Sequence, residues 1–79
     1  MRFTYDPAAD AAYLYIAEHI PPGGVAKTYC CDPGEVGGMI NLDFDSSGKL
    51  LGVEVLDASA ILPPHVLESE GSGDGASDG

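Results

Sequence analysis

The chain has 79 residues, thirteen of them acidic and three basic, for a formal charge of -10. At 8.1 kDa it is one domain at most. Its 44% hydrophobic content is too high for a fully disordered acidic chain, no apolar run approaches the roughly 20 residues that span a bilayer, and Arg2, Lys27 and Lys49 are too scattered to hold nucleic-acid phosphates.

The opening segment, Met1 to Pro7, lacks the apolar stretch of a signal peptide, so a cytoplasmic location is expected. Arg2-Phe3-Thr4-Tyr5 alternates polar and aromatic residues with period two, as a strand does. Asp6-Pro7-Ala8-Ala9-Asp10 follows as a turn, with Pro7 presetting φ and Asp6 placed to cap loop amides. Ala11 to Ala17, rich in Tyr and Ile, then completes a hairpin. A helix that starts at Asp6, with Pro7 in its first turn, is the rival reading of this stretch.

Pro21-Pro22-Gly23-Gly24 breaks any element. A third strand is expected from Val25 to Cys31, ended by Asp32-Pro33-Gly34. Met39 to Phe44 and Leu50 to Leu56 form the strongest pair, joined through Ser46-Ser47-Gly48. Phe44 opposite Leu51, Leu42 opposite Val53 and Ile40 opposite Val55 keep every apolar side chain on one side. Asp57 to Leu62 reads as a short helical turn stopped by Pro63-Pro64, and Pro64 can open a last turn through Leu67.

The expected fold is mainly β (α+β): a small antiparallel sheet of about five strands, a β-meander, with a short C-terminal helical segment. Residues 1–67 form the domain. The remainder, 68–79, is an acidic Gly/Ser sequence expected to be a flexible tail. A domain this small buries only roughly 60% of its unfolded surface. One short helix cannot cover five strands, so sheet-to-sheet packing in a homodimer, or a strongly curled sheet, is expected.

Two segments carry a family resemblance. Asp6-Pro7-Ala8-Ala9-Asp10-Ala11-Ala12-Tyr13-Leu14 opens the chain, and Asp43 to Ser59 closes the folded part. In this order they resemble the bacterial domain of unknown function 2283 family, over residues 2–62. The resemblance implies a small, mostly β cytoplasmic protein without an established activity. Members look like the smaller half of two-gene cassettes, some beside toxin-like proteins of the endoribonuclease type, which implies an antitoxin-like or partner-binding role. The family supplies no catalytic residues to carry over. Cys30-Cys31 and the glycines Gly34, Gly37 and Gly38 depart from its pattern.

Four sets of residues could carry chemistry. Asp43, Asp45, Ser47 and Glu54, with Gly48, match the spacing of a calcium loop. That loop needs helices on both sides, and here the flanks alternate as strands, so a hairpin turn is the simpler reading. Asp43, Asp45 and Glu54 share a polar face, yet paired carboxylates become acid and base only where burial separates their pKa values. Cys30 and Cys31 with His19 and His65 offer four zinc-type donors, but adjacent cysteines on a strand point to opposite faces and do not share one ion. Free thiols are expected, one packed inward and one exposed. Tyr13 and Tyr15 share a face with Arg2 and Thr4, and covering an interface suits them better than stacking bases at this charge.

No catalytic, metal or cofactor site is therefore assigned, and no cofactor is expected. The leading expectation is a non-catalytic, dimeric interaction protein whose acidic surface suits a basic protein partner. The alternative is a small-ligand-binding protein or enzyme with a site at the subunit interface, lined by Tyr5, Tyr13, Asp43 and Glu54.

Overall fold

The structure is a computed structural model, and it describes residues 1–68. Five strands form one antiparallel sheet: β1 (Arg2–Asp6), β2 (Ala11–Tyr15), β3 (Lys27–Cys30), β4 (Met39–Phe44) and β5 (Leu50–Leu56). Three single-turn helices accompany them: α1 (Pro33–Val36), α2 (Ala58–Ile61) and α3 (Pro64–Glu68). The mainly β architecture is the expected one. The acidic tail lies outside the described residues, apart from Glu68, which ends α3 rather than beginning the tail.

The hairpin reading of the first segment holds, and the helical rival is excluded. Arg2 pairs with Tyr15 and Asp6 with Ala11. Asp6 caps the turn by accepting from Ala8 N at 3.1 Å. Asp10 closes it at φ 53, a left-handed conformation that Asp tolerates.

The strand order is β1-β2-β5-β4-β3, which corrects the expected meander. β1 and β2 are neighbours, and so are β3, β4 and β5 in succession, but β2 and β3 are not. β2 sits against β5, so residues 16–26 cross to the far edge of the sheet. The physical reason is burial: β5 is the most apolar strand and gains a neighbour on both sides, whereas β3 is exposed throughout. β3 is also shorter than expected, at Lys27–Cys30.

Ile40 faces Val55 and Leu42 faces Val53, as the alternation requires. Phe44 faces Leu50 rather than Leu51, because the register shifts between Asp43 and Phe44. Such a bulge lets the strand bend as it enters the turn. Gly48 takes φ 84 in that turn, and Asp45 Oδ1 accepts from Ser47 N at 2.8 Å and Lys49 N at 2.9 Å.

α1 has no counterpart among the expected elements: Asp32-Pro33-Gly34 reads as a strand terminator, but it also starts a helical turn. Asp32 caps Gly34 N at 3.0 Å with Pro33 in the first turn, and Gly37 closes the turn at φ 81.

Phe3, Tyr5, Ala12, Leu14, Val53, Val55, Ile40, Leu42 and Tyr29 share one face, as the pairing requires. α2 packs on one end of this face. The core is built from small side chains: Ala58 is 0% exposed, Ala12 3% and Val55 8%. Phe3, Tyr5, Ile40, Val53, Ile61, Leu62 and Leu67 pack around them, each only partly buried. No large side chain among the described residues is fully buried.

Candidate functional site

The opposite face of the sheet gathers the polar residues. In register across four strands lie Arg2 and Thr4, then Tyr13 and Tyr15, then Gly52 and Glu54, then Asn41 and Asp43, with Thr28 and Cys30 on β3. Tyr13 reaches across β5 to donate its hydroxyl to Asp43 Oδ2 at 2.7 Å. It can do so because residue 52 is glycine: a Cβ there would collide with the Tyr13 ring and hydroxyl. A glycine inside a strand marks such close approach. Thr28 Oγ1 donates to the other oxygen, Asp43 Oδ1, at 2.6 Å. One carboxylate thus joins β2, β3 and β4, with the tyrosine ring laid over β5.

Burial and then the Asp43 bond push the Tyr13 hydroxyl well above its ordinary pKa of 10.0. It remains a donor, not a base. Asn41, only 9% exposed, donates through Nδ2 to Glu54 Oε1 at 3.0 Å. Its Oδ1 is buried without a donor. Tyr15 meets Tyr13 edge-on, with centroids 4.6 Å apart, and carries the Arg2 guanidinium 3.8 Å above its ring.

A second cluster lies at the end of the apolar face. Asp10 Oδ1 accepts from Tyr5 at 2.7 Å and from Ser59 N at 3.0 Å, while Oδ2 accepts from Ser59 Oγ at 2.7 Å. Ala58 N donates to the Asp10 carbonyl at 2.9 Å. Asp57, the residue that precedes α2, makes no side-chain cap. Asp10 caps the helix instead, from 49 residues away. The Tyr5 and Ser59 bonds hold the Asp10 carboxyl below its ordinary value of 3.8, and the same Asp10 bond raises the Tyr5 hydroxyl above 10.0.

These placements divide the sequence-derived ligand lining. Tyr13, Asp43 and Glu54 come together on the polar face. Tyr5 does not join them; its position in β1 turns it to the apolar side, where it serves Asp10. The calcium spacing is not assembled either. Asp43 is occupied by Tyr13 and Thr28, Asp45 by turn amides, and Glu54 stands opposite Asn41 on flanks that are strands. Among the described residues no three His, Cys, Asp or Glu side chains gather as metal ligands. Cys30 is exposed and Cys31 half-buried, both as free thiols.

The model of the family described as a protein of unknown function, DUF2283, matches residues 2–59. The chain belongs to the DUF2283 family. No curated protein and no solved structure matches it. The match spans both polar clusters of this DUF2283 chain, from Arg2 to Ser59. Among the described residues, no helix of this family member is long and apolar enough to cross a membrane.

Proposed function

We propose that this DUF2283 protein is a non-catalytic interaction module: a cytoplasmic homodimer whose acidic surface holds a basic protein, in the manner of an antitoxin. The observation that carries the reading is how its carboxylates are held. Among the described residues, Asp10, Asp32, Asp43, Asp45 and Glu54 accept only from hydroxyls, amides and backbone N–H groups. Their partners are neutral, so their charge stays available to a cation from outside. They serve the fold as struts and caps. Co-expression with the product of the adjacent gene tests the reading. The two should purify together at low salt and separate as salt screens the attraction. Failure to associate at low salt contradicts it.

A second reading, a small-ligand site completed between subunits, draws on the unpartnered Asn41 Oδ1 beside Glu54 and Asp43. Binding unchanged by Asp43→Ala and Glu54→Ala would remove it.

A further inference from the structure

We infer that two copies of the chain join through the free edge of β1, antiparallel and in one register, with a two-fold axis at Thr4. The inference rests on the proposal above that the protein self-associates, and it specifies where.

Among the described residues β1 is a terminal strand of the sheet, so one side of its backbone has no neighbouring strand there. The pairing parity tells which groups lie on that side. Ile16 N donates to Leu51 O at 2.9 Å, so even-numbered residues of β2 turn their backbone groups toward β5. The odd ones, Ala11, Tyr13 and Tyr15, turn toward β1, where they oppose Asp6, Thr4 and Arg2. The N–H and C=O of Phe3 and Tyr5 therefore point out along the free edge.

An antiparallel copy set about Thr4 brings Phe3 opposite Tyr5 of the partner subunit. These are the residues with outward backbone groups, so each pair exchanges both hydrogen bonds. The side chains agree with this register. On the apolar face, Phe3 meets the partner's Tyr5, an aromatic cross-strand pair made twice. On the polar face, Arg2 meets the partner's Asp6, also twice. Arg2 and Asp6 are both exposed. Among the described residues the guanidinium lies over Tyr15 rather than on a carboxylate, and Asp6 accepts only from the Ala8 amide. A chain of net charge -10 repels its own copy, so an interface between copies needs an attraction of this kind. The other terminal strand, β3, lacks it: Lys-Thr-Tyr-Cys contains no acidic residue to face Lys27.

Charge reversal tests the register with the full chain. Sedimentation equilibrium should show Arg2→Glu and Asp6→Arg each weakening the dimer by roughly tenfold or more, since two attractive pairs become repulsive. The combined exchange, R2E with D6R, should restore association, because the swapped pairs are again complementary. Circular dichroism checks that each variant keeps the sheet. Independently, in a Cys30→Ser, Cys31→Ser background, Thr4→Cys should give a disulfide dimer under mild oxidation, its Cα atoms about 4.5 Å apart across the axis. Arg2→Cys should not. A wild-type dimer unchanged by either reversal, or one cross-linked by Tyr29→Cys on β3 but not by Thr4→Cys, overturns the β1 edge and leaves self-association standing. A monomeric wild type overturns both.

Discussion

At the residue scale, three residues explain most of the polar order. Asp10 binds the first hairpin to α2, Asp43 ties three strands, and Gly52 makes room for the tyrosine that reaches Asp43. Gly52→Ala should lower stability by about 1–3 kcal/mol, the usual cost of forcing an added methyl into an occupied space. Thermal unfolding should record the loss, and Tyr13→Ala should relieve much of the clash in the double variant. The Tyr13 hydroxyl gives a spectroscopic check. Raised by burial and by Asp43, it should ionise well above 10.0, and Tyr13→Phe should remove that late component from an ultraviolet titration. The linkage sign follows from the direction of the shift. A tyrosine with a raised folded pKa stabilises fully below the unfolded value and loses the contribution as pH rises past 10.0. Asp10 works the other way. Its lowered folded pKa gives stability above 3.8 that fades as pH falls through the folded value. Asp10→Asn should flatten this acid limb of the stability profile.

At the element scale, the two hairpins were legible because their signals are local. Asp-Pro at the first turn and Ser-Ser-Gly at the second sit between alternating segments, and Ile40–Val55 and Leu42–Val53 follow from the pleat alone. The neighbour of β2 was not legible. Nothing near Ala11–Tyr15 states that β5 will lie beside it, because that choice depends on total burial across the sheet. The bulge at Asp43 and Phe44 was hidden for a related reason: it changes no residue type, only the count of residues between paired positions. Gly52 was the one visible clue to the tyrosine crossing, as a glycine inside a strand. Asp10 as a helix cap had no local signal, since Ser59 lies 49 positions away. At the second turn, Gly48→Ala should cost about 1 kcal/mol by chemical denaturation, because φ 84 is left-handed. An unchanged midpoint would mean that the turn relaxes freely.

At the scale of the whole molecule, the core is small in a literal sense. Among the described residues two alanines and one valine form the buried apolar core, and the larger apolar side chains around them stay partly open. Two single-turn helices cover one end of a five-stranded sheet and leave much of its apolar face open among the described residues. In the proposed function, carboxylates held by neutral donors build the fold and keep their charge for a cationic partner. Binding to that partner should weaken steadily with added salt, and calorimetry at two ionic strengths checks this. The most direct test of the account is sedimentation equilibrium on the isolated full chain over a range of concentrations. The account predicts a mass approaching twice the 8.1 kDa of one chain. A single species at the mass of one chain, at every concentration up to tens of micromolar, would contradict it.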